Sequence, residues 1–476
     1  MTLAANPFDW STFGVDEAVC ARVLSAAAAH GADDADLFFE YTTSISLAMA
    51  DRAVNRAHTT VDLGVGIRVV VGDQVGFAFT EDLTEASMLA AARTAAQIAR
   101  GGAPIRPGAA GFSATPDHYP VSPAWADVDL GTRVPLIRRW EEEAFALDPR
   151  VKKVQTSLAD ADRYVLVARL DGKIVTDYRP MTRAFVQVSV VDGSKRESGS
   201  YNVAARRGLD FYDPDRQRRL VDLAVERALR ALDASPPPAG EMPVVLGAGS
   251  SGILLHEAIG HGMEADFNRK KTSIYADKIG ERIAPAGVTV VDDATRAGDR
   301  GALNVDDEAS DTERTVLVED GILRSYLHDR ISARHYGVAS TGSGRRESFR
   351  HPVLPRMRST YMEPGTLDPA EIIASVERGI YCETFGNGQV QIGAGDFAFY
   401  VRSGWLIENG KLTAPIKDAN LIGNGPQVLR EIEMVGNDLV IDEGGWTCGK
   451  DGQSVPVSQG MPTVKVAKMS VGGTAR

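Results

Sequence analysis

Two periods of hydrophobicity share the first 232 residues. Val15, Val19, Val23 and Ala26 or Ala27 recur every three or four positions and predict an amphipathic helix over 15–30. Strand-like segments follow at 36–50, 63–71 and 74–80, and the Gly72–Asp73 pair supplies a hairpin turn between the last two. Thr84 is placed to cap a helix reaching Arg100, with Glu85 in its first turn, where the helix dipole favours an acid. A stretch rich in proline, glycine and alanine, 101–125, reads as a long loop. The pattern then returns as a helix near 132–147, strands over 151–191 and a helix near 218–232, on which Leu220, Leu223, Ala224, Ala228 and Ala231 share a face. These are two helix–strands–helix modules of related order without a residue-level repeat.

DASPPPAG, 233–240, breaks the pattern: three consecutive prolines cannot continue a helix and stiffen the chain as a spacer. The expected division is an N-terminal α+β domain, 1–235, with possible modules 1–105 and 126–235, and a C-terminal domain, 241–476. The second half is glycine-rich, with short strands at 243–246, 289–291, 315–318, 389–392, 397–401, 439–441 and 463–466. Asp320–Gly321, Asn387–Gly388, Asn409–Gly410 and Asn424–Gly425 read as turns between them. The fold class is therefore α+β: N-terminal α/β modules with antiparallel strands and helices, then a β-rich curved or barrel-like domain with one helical segment set into it.

Composition narrows the function. Of 476 residues 43% are hydrophobic and 24% charged, enough for a substantial core. A formal charge of −12 and no Lys/Arg block of five argue against nucleic acid. Three scattered cysteines make no disulfide framework and point to a reducing compartment. The opening MTLAANPFDWSTFGVDEAV carries Asp9, Asp16 and Glu17 with no early Lys or Arg, so no secretory leader is expected. The longest apolar-leaning run, 244–259, is broken by glycine and serine and is too short to span a bilayer. A soluble, cytoplasmic protein without membrane contact is the expectation.

The chemistry sits in the helical segment. His256, Glu257 and His261 form H-E-x-x-x-H. Zinc favours imidazole ligands, and a glutamate beside one of them can serve as general base to a metal-bound water. The familiar H-E-x-x-H spacing puts both histidines on one helix face. Here one residue is added, and at 3.6 residues per turn a separation of five turns the second ring about 140° away. A π-bulge absorbs one residue and restores the shared face. The spacing thus predicts a helix interrupted near 258–261, with Gly260 a natural place for it. The third zinc ligand is open on spacing alone: Glu264 and Asp266 are close in sequence, and Cys448 is the rival, in a polar glycine-rich loop where Lys450 could favour its thiolate. Cys20 reads as core and Cys382 as structural.

HEAIGHGMEADFNR resembles the zinc-site helix of the TldD branch of the TldD/PmbA peptidases. DGILRSYLHDRISA (320–333), TGSGRRESF with PVLPRMRSTYMEPGT (341–366), FGNGQVQIGAGDFAF (385–399), LIENGKLTAPIKDANLIGNGPQVL (406–429) and CGKDGQSVPVSQGMPTVKVAKMSVGG (448–473) are similar to further family segments. The PmbA branch, also called TldE, lacks the H-E-x-x-x-H helix, so the chain resembles the catalytic branch. The resemblance implies that His256, His261 and Cys448 bind zinc and that Glu257 is the catalytic acid/base, leaving Glu264 and Asp266 in supporting or structural roles. It also implies short or unfolded peptide substrates held as an added strand, and a dimer with a PmbA/TldE-like paralogue. A homodimer is equally compatible with the sequence. Ala309 stands where the family has a glycine, and YVRSGW lacks an acid usual near Ser403.

The expected function is zinc-dependent peptide hydrolysis, with His328, His335, Arg345 and Arg346 as candidates for further oxyanion or substrate contacts. The alternative is a non-catalytic peptide-binding subunit whose structural metal is closed by Glu264 or Asp266. A phosphate loop at GAGSSG, 247–252, is disfavoured because it lacks the G-K-[ST] ending.

Overall fold

The computed structural model describes residues 8–473. Residues 1–7 and 474–476, which include both outer domain limits and the first part of the segment read for a leader, lie outside the described residues.

The strands of the two N-terminal modules join in one sheet. Its order is Gln74–Thr80, Ala53–Val71, Asp34–Ala50, Val151–Arg169 and Lys173–Asp192, and both Lys195–Ala205 and Gly111–Phe112 pair with the last. The modules meet where Asp36 lies opposite Arg169 and Ala50 opposite Gln155 in one antiparallel ladder. Side chains alternate between faces along each strand. Leu37, Phe39, Leu47 and Met49 are buried on one face in the cores built with the helices. Phe38, Val165, Val167 and Val175 pack on the other against Val305, Ala309 and Phe349 of the C-terminal half.

Helix starts follow from local capping. Asp16, Asp129 and Asp213 accept from the backbone N–H of Val19, Thr132 and Arg216, opening the helices Glu17–Ala27, Leu130–Leu147 and Pro214–Ala231. The last begins four residues ahead of the expected 218, because Asp213 caps it and Pro214 occupies the first turn, where no N–H is needed. Thr84 stands at the start of Glu85–Ile98 but its hydroxyl makes no cap bond. The Lys195–Ala205 strand was not expected: KRESGSYN is polar and shows no apolar alternation.

In the C-terminal half, Gly240–Leu246, Val464–Gly472, Ala419–Asn424, Asp396–Glu408 and Arg378–Gln391 pair in that order, and the last pairs back to the first, closing a five-stranded barrel. A second sheet runs Ile322–Leu323, Arg314–Glu319, Val290–Asp293, Ser359–Met362, Ser458–Met461 and Val440–Ile441. Three expectations change. Asn387–Gly388 is not a turn but lies inside the Arg378–Gln391 strand, at a register shift. Asn424–Gly425 opens the helix Gly425–Arg430. The H-E-x-x-x-H segment is not the lone helix, since Arg330–Tyr336 and Pro369–Ala374 are helical too.

Ion pairs fasten the two halves. Arg68 reaches Asp36 and Glu308, each at 2.5 Å, and Arg346 reaches Asp36 at 2.8 Å, all buried. Ala309 follows Glu308 with φ 56°, the left-handed region that glycine enters most easily, so alanine there is locally strained. Within the second sheet, Arg358 and Asp292 are fully buried: Nε lies 2.5 Å from the carboxylate, and Thr360 also donates to it. Removing one member leaves a buried charge uncompensated. Arg358→Met is therefore expected to lower stability in chemical denaturation by about 3–5 kcal/mol. Breaking the exposed Arg314–Glu363 pair with Arg314→Met should change it by less than about 1 kcal/mol.

Candidate metal centre

The segment that carries the two histidines changes helical type three times within 18 residues. Gly252–Leu255 is α-helical, His256–Gly260 is a π-turn, His261–Met263 is a 3₁₀ turn and Ala265–Arg269 is α-helical again. The π-turn falls where the five-residue spacing requires it and brings the imidazoles together, ring centroids 5.0 Å apart and planes at 86°. Carbonyls freed by the irregular turns find side-chain donors. Tyr275 donates its hydroxyl to Ala258 O at 3.0 Å, Ser273 donates to Gly262 O at 2.7 Å, and Asn268 donates to Gly262 O and Glu264 O at 2.8 and 3.0 Å. The turn also packs without room to spare. A Cβ on Gly260 would lie 1.9 Å from Met357 Sδ.

Cys448 arrives from a separate element. It lies in the strand Thr447–Lys450, not in a loop, and is buried. Its Sγ is 3.6 Å from His261 Nε2, and the donor atoms of His256, His261 and Cys448 all fall within 4.8 Å of one another. A tetrahedral zinc with Zn–N of about 2.0–2.1 Å and Zn–S of about 2.3 Å sets an N···S separation near ~3.6 Å. The donor set of two imidazoles and a thiol also matches zinc. His256 Nδ1 is buried with no hydrogen-bond partner among the described residues.

Charge is arranged behind the cluster. Glu264 Oε2 lies 2.9 Å from His261 Nδ1, which leaves Nε2 to face Cys448 and the cavity. Glu264 is in turn held by Lys450 at 3.2 Å and Arg356 at 3.8 Å. Burial opposes its ionisation, but Lys450 and then His261 outweigh burial and lower its pKa to about 2. The sequence suggested Lys450 as the group favouring the Cys448 thiolate. It points elsewhere, 2.7 Å from Asp266 and 3.0 Å from Pro355 O. Burial disfavours the thiolate, yet His256 and His261 overcome it and hold the Cys448 pKa well below a normal thiol. His261 is pulled well above the usual histidine range, since Glu264 and Cys448 outweigh its burial.

Glu257 lies beside the cluster and lines the same cavity of about 500 Å³ as His256, His261 and Cys448. Burial raises its pKa, partly offset by the two histidines. Glu264 and Asp266, engaged by Lys450, do not line this cavity. Neither do the other four candidates. Arg345 donates to Met357 O and Pro456 O, and Arg346 serves the interface with Asp36. The His328 ring stacks edge-on with Tyr326 and Tyr336, and His335 is exposed on its helix. The sequence did not single out Gln459. Its side chain is buried, lines the cavity, and has no partner for either its oxygen or its nitrogen. No motif marks it; only the fold exposes it.

With this geometry in hand, the comparisons are consistent. Family models match three segments: "PmbA/TldA metallopeptidase domain 1" over 35–99, the central domain over 123–232 and the C-terminal domain over 239–473. A metalloprotease TldD homolog from Haemophilus influenzae is 41% identical over 449 residues, 93% of each chain. A zinc metalloprotease TldD homolog from Saccharolobus solfataricus is 34% identical over 52% of this chain and 55% of the relative. The fold is shared with TldE from Thermococcus kodakarensis, with a TM-score of 0.74 at 18% identity over 95% of this chain and 99% of that one.

Overpacking the turn should open it. Gly260→Ala is expected to destabilise the protein by about 1–3 kcal/mol. The double variant Gly260→Ala/Met357→Ala, which removes the clashing sulfur, should recover part of that loss in thermal melting; equal or greater loss would contradict the assigned contact.

Proposed function

The chain belongs to the PmbA/TldD metallopeptidase family, and from that premise we propose that it is a zinc-dependent hydrolase of short or unfolded peptides. The observation that carries this reading is the convergence of His256, His261 and Cys448 beside Glu257 in one cavity. The name of the Saccharolobus relative supports zinc as the metal. Zinc held by the three donors would supply a water of lowered pKa and stabilise negative charge on the scissile carbonyl oxygen.

The chain's own residues account for the remaining steps. Glu257 takes the proton from the attacking water and returns it to the leaving amine; burial, by raising its pKa, suits it to both. Glu264 fixes the His261 tautomer so that Nε2 faces the cavity. Substrate backbone fits the Arg378–Gln391 strand, one edge of which pairs with Gly240–Leu246 only over Ile380–Cys382. Beyond Cys382 no described strand pairs with that edge, although Phe385 N donates to Ser250 Oγ at 3.2 Å, and Gly388, Gln389 and Val390 line the metal cavity. A peptide added there gains main-chain hydrogen bonds with little demand on its side chains. Glu264 disfavours the closed-site alternative, since Lys450, Arg356 and His261 Nδ1 already engage it.

A dimer with a PmbA/TldE-like paralogue, or with a second copy, belongs to the same reading and is supported by the shared TldE fold. A reducing, cytoplasmic setting suits a ligand thiol and three unpaired cysteines. Among the described residues no helix is long and apolar enough to cross a membrane.

Metal content by mass spectrometry tests the reading. Wild-type chain should carry about one zinc, Cys448→Ser much less, and Glu257→Gln a full complement. In peptide assays, run alone and with the paralogue, Glu257→Gln should lose about 10²–10⁴-fold in rate. No metal after reconstitution, or undiminished turnover by Glu257→Gln, would sink the hydrolase.

A further inference from the structure

A second cavity, of about 330 Å³, lies between the central sheet and the barrel. Arg183 enters it from the Lys173–Asp192 strand, Arg227 from the Pro214–Ala231 helix and Arg402 from the Asp396–Glu408 strand. Arg183 projects from the face of its strand opposite Ala184 and Val186, which are buried in the helical core, and so faces the C-terminal half.

The charges are out of balance. Two other cations that line the cavity are neutralised, Arg230 by Glu383 and Lys417 by Glu197. Among the described residues Arg183, Arg227 and Arg402 form no ion pair with a carboxylate, although Glu383 and Asp442 lie near enough to favour the charged form of Arg227. Arg227 donates only to Ser200 O, at 3.0 Å, and lies over the Tyr201 ring at 4.7 Å. The Arg183 guanidinium lies 6.0 Å from the centroid of the Phe185 ring. Asp442 is the one acid lining the cavity, and its Oδ1 accepts from Gly444 N and Trp446 Nε1. Burial lowers the pKa of both Arg183 and Arg227, a penalty that an anion would relieve. The walls are also cut to admit Arg183, since a Cβ on Gly445 would lie 2.7 Å from its Nε. Ser198 and Ser200 add hydroxyl donors.

The position of the cavity identifies its ligand. Trp446 lines both this cavity and the metal cavity, two residues before Cys448. The Arg378–Gln391 strand passes from one to the other: Phe385 and Gly386 line the basic cavity, Gly388 and Gln389 the metal cavity. Two residues of strand span about 7 Å. A peptide laid along this strand beyond Phe385, with its scissile bond at the metal, therefore sets a residue about two positions away at the mouth of the basic cavity.

We propose that this cavity is a subsite for a peptide carboxylate, held by the guanidinium groups of Arg183, Arg227 and Arg402, so that the substrates are peptides bearing either an acidic residue or a free C-terminus a few residues from the cleaved bond. Guanidinium forks match carboxylates in shape and charge. The proposal rests on the hydrolase reading for its choice of ligand, while the charge imbalance stands by itself.

The test uses the full chain with four peptides of one sequence, carrying Glu or Gln two residues from the expected cleavage site and a C-terminal acid or amide. Affinity is read by calorimetry on Glu257→Gln protein, and turnover on protein with Glu257 intact. Against this background, Arg183→Gln/Arg402→Gln should weaken binding of carboxylate peptides tenfold or more and leave the Gln amide peptide within twofold. The Glu and free-acid arms then identify which carboxylate is read. An unchanged melting temperature shows that the variant is folded, as expected for two arginines without ion pairs. Equal affinity for all four peptides, or an equal loss for all four in the variant, would overturn the subsite. Charge-dependent binding without turnover keeps the subsite and removes the hydrolase; turnover without charge preference does the reverse.

Discussion

The two histidines lie five positions apart, and a regular helix cannot aim both at one point. Everything at the centre of this molecule follows from absorbing that extra residue. The wide turn at His256–Gly260 does so, but a π-turn leaves carbonyls poorly satisfied and is unstable in isolation. Tyr275, Ser273 and Asn268 bond the freed carbonyls, and Met357 packs where only a glycine leaves space. The segment 264–275 thus exists in large part to hold the segment 256–263 in a shape its own backbone would not choose.

The same segment does the electrostatic work. Cys448 and Lys450 share one face of their strand, being two residues apart. One presents its sulfur to His261, the other its ammonium to Glu264 and Asp266. Lys450 keeps Glu264 ionised, and Glu264 orients His261 from behind. A ligand strand and a ligand helix that are distant in sequence are therefore registered against each other by a salt bridge as well as by the cluster itself.

The parts legible in the sequence were those with local causes. The Gly72–Asp73 turn acts within a few residues, and so does the spacing of His256 and His261, from which the irregular turn could be derived, whereas the caps Asp16 and Asp129 emerge only from the structure. Periodicity found the long N-terminal strands where one face is buried, but only short pieces, 389–392 and 397–401, of Arg378–Gln391 and Asp396–Glu408. It missed Lys195–Ala205, whose polar side chains carry no alternation, and misread Asn387–Gly388, where a turn-prone pair sits inside a strand because the neighbouring strand supplies its hydrogen bonds. Cys448 could not be joined to the histidines by spacing across 187 residues; the family resemblance linked them, and the fold explains how. Lys450 was assigned to the wrong partner because sequence proximity to Cys448 says nothing about which way its side chain leaves the strand. Gln459 and the three arginines of the second cavity had no sequence signal at all, since their significance lies in missing partners.

The two halves are also less separable than the proline break at 233–240 suggests. The chain entering the Cys448 strand is tied to the central sheet: Ala204 N donates to Glu443 O at 2.7 Å, and Gly445 N donates to Asn202 Oδ1 at 2.6 Å. Trp446, the next residue, separates the basic cavity from the metal cavity. The C-terminal half alone contains all three donors, yet the approach of Cys448 to His261 is braced by strands it does not own. The buried polar cluster at the far side of the interface makes the same point, because Glu308 and Arg346 of the C-terminal half reach Arg68 and Asp36 of the N-terminal sheet. The N-terminal half is thus a structural part of the centre rather than an appendage, and its sheet and its Pro214–Ala231 helix lend the second cavity Arg183 and Arg227.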